Sequence, residues 1–275
     1  MNAKARHGVG KSDPLDARAI ATAVLPVEED RLRRPRADDG TRQALRVLIA
    51  ARDQMTGEKT MNINALIALL RANDLGIDAR KPLTMEQFGQ VSRWHHRTEP
   101  LATAIAREEA IRLARRILEL HHALTANHAR LSELITASPA APLLEEIGVG
   151  AYTAAVILTA WSHPGRVRND AAFASLAGVN PIPASSGNTT RHRLNRGGDR
   201  RLNKALHVIA ITRMSRHPAT KAYLERRLAE GRTRSEVRRC IKRYLARHLY
   251  RTLNALHDHA PEATVSDSTL APTIG

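Results

Sequence analysis

The chain holds a single cysteine, Cys240, among its 275 residues. No internal disulfide can form, and no cysteine-based zinc site can be built from it. Aromatic residues are scarce too, at 3%. Any core must therefore be made of Leu, Ile, Val and Ala, which favours helices packed on helices over a β-sandwich. No stretch approaches the roughly 20 apolar residues of a membrane span. The opening MNAKARHGVGK has no apolar run after its basic residues, so it does not read as a secretory signal. These absences lead to the expectation of a cytoplasmic, nucleoid-associated protein with no membrane partner. Acidic residues are outnumbered: 27 Asp and Glu stand against 43 Lys and Arg, a formal net charge of +16. Arg offers a planar, permanently charged fork that matches phosphate oxygens. A polyanion fits this balance, and nucleic acid is the commonest one. A GC-rich genome would account for Arg over Lys, but not for the net charge.

What is present is a hydrophobic fraction of 43%, enough for a real core. Ser12-Asp13-Pro14 is a helix start, an oxygen-bearing cap followed by a proline whose missing N–H does no harm. A short helix is expected from there to about Leu25. A long helix is expected from about Asp39 to Asn73, with Leu45, Leu48, Arg52, Met55, Lys59, Asn62, Leu66 and Leu69 staggered three and four apart. That seam is apolar at both ends and polar in the middle. Gly76 and Pro82 break the chain. A second long helix is expected from about Pro100 to Thr136, carrying Leu113, Ile117, Leu120, Leu124, Leu131 and Ile135, with Asn127 at the skipped position. Two such helices read as an antiparallel pair within one chain or as a coiled coil that joins two chains. Ser138-Pro139-Ala140-Ala141-Pro142 is the clearest linker. An Ala-rich helical stretch to about Gly178, a Pro/Ser/Gly/Asn-rich loop to about Gly198 and strongly basic helices to about His259 come next. The fold class is expected to be mainly α, with short strands at most. The expected division is 1–35, an arm over 36–137, a C-terminal domain over 138–259 and a disordered polar tail over 260–275.

Three motifs could carry chemistry. Leu144 through Ala155 contains Gly148-Val149-Gly150 between two helical segments, a helix-hairpin-helix pattern. Such a turn can present backbone N–H groups to a DNA phosphate without reading any base. The alternative is an ordinary tight turn between packed helices. The loop Asn180 to Asn188 carries Ser185-Ser186-Gly187 ahead of a basic run: Arg191, His192, Arg193, Arg196, Arg200, Arg201 and Lys204. A serine attacking a phosphodiester needs an accessible approach and cations to offset the pentavalent charge. The alternative is a solvated loop that caps a basic helix. The basic helix around Arg238 to Arg251 is a second possible binding face. Asp13 and Asp16, three apart, share a helix face and could jointly hold Mg²⁺. They could equally be a cap and a first-turn acid stabilised by the helix dipole.

The three motifs, in this order, closely resemble the insertion-sequence "one-ten" family of transposases, also called DEDD transposases or bridge-RNA-guided recombinases. The matching stretches are Gly10 to Ala17, Leu144 to Ala155, Phe173 to Val179 leading into Ser185-Ser186-Gly187, and Arg196-Gly197-Gly198-Asp199-Arg200-Arg201-Leu202-Asn203. The resemblance implies a RuvC-like domain of RNase H fold holding four acids, then a coiled-coil arm, then a C-terminal domain with a serine nucleophile. It implies Mg²⁺ as cofactor, donor and target DNA and a structured guide RNA as partners, and active sites shared between subunits of a homo-oligomer. Asp13 and Asp16 match the last two acids, and Ser186 best matches the serine, with Ser185 as its neighbour. The family's first two acids lie upstream of the motif that begins here at Gly10. The expectation is therefore an N-terminally truncated transposase with half of its metal ligands, not expected to be fully active alone. The competing expectation is a non-catalytic nucleic-acid-binding protein, either a transposase remnant or a helix-hairpin-helix factor.

Overall fold

The computed structural model describes residues 13–28, 32, 35–36, 40–184, 192–195 and 197–258. The described chain is mainly helical, with one two-stranded ribbon. Helix α1 (Asp13–Val24) starts where the sequence placed it, with Pro14 in its first turn and both acids at the positive end of the helix dipole. Ile20 and Leu25 are 63% and 83% exposed, so the apolar residues of this segment are mostly uncovered.

Helices α2 (Thr41–Ala72) and α4 (Leu101–Thr136) span 32 and 36 residues, roughly 50 Å each at the usual rise. They form an antiparallel hairpin within the chain. As residue number rises along α2, its partners fall along α4. Asn127 donates to the Leu48 carbonyl at 3.0 Å, and Arg52 to that of Leu124 at 3.1 Å. Lys59 lies 3.2 Å from His121 Nδ1, and Arg116 bonds Glu58 at 2.6 Å. The pairs in this middle stretch are polar, as the sequence pattern anticipates. Apolar packing takes over at each end. Leu45, Ile49, Leu131 and Ile135 join the core of the C-terminal helices. At the far end Leu66, Leu70, Leu113 and Ile117 make a separate core with Phe88 and Val91.

Those last two residues belong to α3 (Met85–Ser92), an element the sequence pattern did not lead us to expect. Gly76 and Pro82 drew attention to the break and away from the segment beyond it. The signal was there in Thr84-x-x-Gln87. Thr84 Oγ1 accepts from Gln87 N at 3.2 Å, and Gln87 Oε1 accepts from Thr84 N at 2.9 Å.

Beyond a short 3₁₀ turn (Ala141–Glu145), helix α5 (Ala151–Trp161) is buried along nearly its whole length. Its alanines let α2, α4, α7 (Arg200–Arg216) and α9 (Arg234–Asp258) approach it from several sides. Helices α6 (Asp170–Leu176) and α8 (Pro218–Ala229) complete the layer. Trp161 Nε1 donates to Asn254 at 3.1 Å, and the Tyr250 hydroxyl donates to the Val167 carbonyl at 2.6 Å, tying α9 to both ends of the α5–α6 connection.

The arm meets this layer through Asp53 on α2. Its carboxylate accepts from the Tyr152 hydroxyl at 2.8 Å and from Arg201 Nε at 2.7 Å. Arg52 lies over the Tyr152 ring at 5.7 Å. Burial, with the Asp53 carboxylate as the next cause, pushes the Tyr152 phenol up to about 12. The neutral phenol is thus the form that folding favours. Its contribution is complete below about pH 10, the usual tyrosine value, and is lost as pH rises towards 12. Tyr152→Phe is expected to lose about 1–2 kcal/mol at pH 7, because Asp53 loses a donor. Denaturant titrations at both pH values should show the gap to the native protein shrinking towards pH 12.

Candidate nucleic-acid interface

Two backbone segments cross at the root of the candidate site. Helix α6 ends at Ala177-Gly178, and Gly197-Gly198 precedes α7. Gly178 and Gly198 have φ of +66° and +95°. A Cβ on Gly198 would lie 2.6 Å from the Leu176 oxygen and 2.7 Å from Gly178 N, and one on Gly178 would collide with the Gly197 oxygen. The crossing is fastened by Asp199 N donating to the Leu176 carbonyl at 2.7 Å and by Asn203 Nδ2 donating to that of Ala177 at 2.7 Å. Asp199 also caps α7 by accepting from Arg201 N and Leu202 N, at 2.9 and 3.0 Å. These contacts give a physical reason for the Ala177-Gly178 and Gly197-Gly198-Asp199 sequences.

From this clasp the chain runs out and back as an antiparallel ribbon, β1 (Ile182–Pro183) with β2 (His192–Arg193), in the register Ile182 to Arg193 and Pro183 to His192. Ser185 and Ser186 belong to the connection between these strands and lie outside the described residues, as do Arg191 and Arg196.

Beside the ribbon is a cleft of about 560 Å³ between the 178–181 segment, residues 193–195 and the first turns of α9. Val179, Leu194, Val237 and Cys240 give it apolar surface. Arg193, Arg227, Arg232, Arg239, Lys242 and Arg243 line it as well, against one carboxylate, Glu236. That carboxylate is engaged at the start of α9, where it accepts from Thr233 N and Oγ1, both at 2.8 Å. Arg227 is paired with Glu230. Lys242 is half-buried and donates to Asn203 Oδ1 at 2.5 Å. Burial, then the nearby Arg238, lowers its pKa from the usual lysine value. Burial, then Lys242 and Arg238, likewise lowers that of His207. Positive charge is concentrated in a concavity, which focuses its field on any anion that enters.

The other residues singled out in the sequence fall in several places. Arg193 is exposed on β2 and walls the cleft, and Arg200 and Lys204 are exposed on α7. Arg201 is half-exposed and already engaged by Asp53. Gly148 turns with φ +90° and packs against α7, where an added Cβ would meet the Ile209 oxygen and Thr212 Cβ, both at 3.2 Å. Gly150 caps α5, its N–H donating to Thr153 Oγ1 at 2.9 Å. The segment before this turn is the 3₁₀ turn rather than an α-helix. Arg213 donates to the Ile147 carbonyl at 2.9 Å and pairs with Glu146, which His248 also contacts at 2.7 Å. Close packing against α7 therefore accounts for the glycine at 148. Asp13 is exposed and Asp16 half-buried in the first turn of α1. Among the described residues no group of three or more His, Cys, Asp or Glu side chains could hold a metal. No described helix is long and apolar enough to cross a membrane.

The sequence pattern did not single out Arg227 or Arg232, and it marked Arg239, Lys242 and Arg243 only as part of the basic helix around Arg238 to Arg251, a second possible binding face. The last three are spaced i, i+3 and i+4 along α9, which places them on one face. That spacing within the basic helix was the available signal.

A mainly helical chain with a strongly basic cleft suits a polyanionic partner, and comparison with known proteins gives the class, that of transposases. Residues 141–225 match the "Transposase IS116/IS110/IS902 family", and residues 1–73 match a transposase family of the DEDD, IS110 type. Between them the two matches cover more than half of the chain. The "Insertion element IS110 uncharacterized 43.6 kDa protein" of Streptomyces coelicolor is 26% identical over 273 residues, covering 84% of this chain and 67% of that protein. The chain belongs to the IS110 family of insertion-sequence transposases. Membership makes it a DNA-binding recombinase of a divalent-metal-dependent class.

Proposed function

We propose that the chain catalyses strand transfer with Ser186 as the nucleophile, Asp13 and Asp16 as magnesium ligands and a structured RNA as guide. The observation that carries this reading is the position of the β1–β2 ribbon. Ser185 and Ser186 follow β1, and β2 contributes Arg193 to a cleft lined by six cations. Three peptide units separate Ser186 from Pro183, a reach of at most roughly 11 Å. Ser186 Oγ would attack the phosphorus as its proton departs. The bond to the leaving sugar oxygen would break, and that oxygen would take up a proton. Arg193 and its neighbours would balance the charge that builds on the phosphate oxygens. His192, close by in the sequence, is the candidate to accept the serine proton.

Asp13 and Asp16 fit a magnesium ion as far as two carboxylates on one accessible helix face can. Magnesium characteristically takes one or two protein carboxylates, with phosphate oxygens and water completing the set. A bound ion would supply charge neutralisation at the reacting phosphate. The first twelve residues contain no Asp or Glu, so the remaining two acids that the family resemblance implies have no counterpart there.

The exposed apolar residues of α1 support the reading of 1–35 as the C-terminal remnant of a RuvC-like domain. The hairpin over 36–137 would be the coiled-coil arm through which two chains pair, and 138–259 the transposase domain with its helix-hairpin-helix-like turn at Gly148 and Gly150. The nucleoid would be its cytoplasmic location. The reading is tested by binding of DNA and structured RNA across a salt series. Replacing Arg191, Arg193 and Arg196 together by Ala should weaken binding to all sequences alike. Each phosphate no longer neutralised should flatten the logarithmic salt slope by about 0.9. Unchanged affinity would move the binding face to the Arg238–Arg251 helix.

A further inference from the structure

We propose that the cleft beside the β1–β2 ribbon receives one unpaired nucleotide of the bound nucleic acid, its base inside and its phosphate at the rim. The inference rests on the reading of this chain as an enzyme that acts on nucleic acid, and adds a binding site to it. The volume of about 560 Å³ falls within the range of small-ligand pockets, about 300–1,000 Å³.

The chemistry of the walls is of two kinds, and the combination selects the ligand. Val179, Leu194, Val237 and Cys240 offer apolar surface. A free phosphate ion has no use for it, whereas the flat face of a base does. Arg232, Arg239 and Arg243 form no ion pair within 4 Å among the described residues, and Arg243 Nε is buried with no hydrogen-bond partner. A nucleotide phosphate supplies the missing anion, and guanidinium planes can stack on an unpaired base. Among the described residues, two amides on the wall each keep half of their capacity. Asn180 commits its Nδ2 to the Ala171 carbonyl at 3.0 Å and to Ser175 Oγ at 2.8 Å, which leaves Oδ1 as an acceptor. Asn195 commits its Oδ1 to Gly197 N at 2.9 Å, which leaves Nδ2 as a donor. One acceptor and one donor suit the hydrogen-bonding edge of a base. In a duplex that edge is occupied by the complementary base, and the base faces are covered by stacking. A nucleotide must therefore leave its helix, or already be unpaired, to use the cleft.

Cys240 lines the cleft and is the chain's only thiol, so its modification reports occupancy directly. The full chain is mixed with a perfectly paired DNA duplex, with the same duplex carrying one unpaired nucleotide, or with an RNA duplex carrying one. Affinity is read by fluorescence anisotropy, and Cys240 accessibility by its rate of reaction with a soluble disulfide reagent. The expected result is that a duplex with an unpaired nucleotide binds about tenfold more tightly than the paired one. It should also slow Cys240 modification by a similar factor, while the paired duplex leaves the rate nearly unchanged. Prior attachment of a bulky maleimide to Cys240 should erase the preference and retain duplex binding. Protection by the DNA probe alone identifies DNA as the source of the nucleotide, and protection by the RNA probe alone identifies RNA. Equal affinities without protection would overturn the inference and leave nucleic-acid binding intact. Equal protection by the paired duplex, or by inorganic phosphate, would make the cleft a backbone-phosphate site and also overturn it. Failure of every probe to bind would remove both this inference and the reading beneath it.

Discussion

Ser186→Ala is expected to abolish recombination, lowering its rate by at least about a thousandfold, while Ser185→Ala retains most of it. The size of the effect comes from the chemistry. A serine hydroxyl that forms the covalent link to phosphorus has no substitute in a methyl group. The cations around it act on charge that develops only after attack, so their contribution also disappears without the nucleophile. The measurement needs donor DNA, target DNA and guide RNA. Recombinant product is quantified by amplification across the new junction, and the covalent protein–DNA adduct by its shift on a denaturing gel. Normal product from the Ser186→Ala protein would remove the assignment. Loss confined to Ser185→Ala would transfer it to the neighbour.

Gly178→Ala and Gly198→Ala are each expected to cost about 3–4 kcal/mol of stability. About 1–2 kcal/mol comes from forcing an L residue into the left-handed region, and about 2 kcal/mol from overpacking against backbone. Neither obstruction is the end of a flexible side chain. The added carbon of Gly198→Ala would sit 2.6 Å from the Leu176 oxygen, and both segments are anchored by the Asp199 and Asn203 bonds. For a protein of this size the melting temperature should fall by roughly 6–16 °C. Gly57→Ala is the internal comparison. It lies inside α2 with nothing within 4 Å of the new carbon, so the change should instead stabilise by about 0.5–1 kcal/mol. Thermal unfolding monitored by circular dichroism decides the matter. A shift of less than about 2 °C for both clasp variants would mean that the two segments separate easily.

The two long helices were legible in the sequence because their seams repeat three and four apart over many turns, and helix periodicity does not depend on the partner, which for the same reason it left open. The ends of α1, α2 and α4 lie within about two residues of the expected ones, since Pro14, Gly76 and Ser138-Pro139 punctuate the chain. Helix α3 was missed because eight residues are too few for periodicity to stand out from a loop. The cleft was only half legible. Arg193 belonged to a visible basic run next to the serines. Arg239, Lys242 and Arg243 came from about fifty residues downstream, brought in by the packing of α9 on α7 and α6. No local pattern encodes that juxtaposition. Arg201 illustrates the converse. Its place in the basic run suggested a phosphate contact, but Asp53, 148 positions away, had already engaged it.

The polar stretch between the two apolar ends of the hairpin has a mechanical consequence. Helices clamped by interlocked aliphatic side chains resist sliding and bending, because any movement opens voids. Contacts such as Lys59 with His121 and Arg116 with Glu58 tolerate small displacements, since water can replace either partner at little cost. The hairpin therefore behaves as a beam with two stiff ends and a compliant waist. A load applied at the α3 end is absorbed first around Glu58 and Lys59, before it reaches the Asp53–Tyr152 joint. The distance from that end to the cleft can thus vary during a reaction cycle without disturbing the packing that shapes either one.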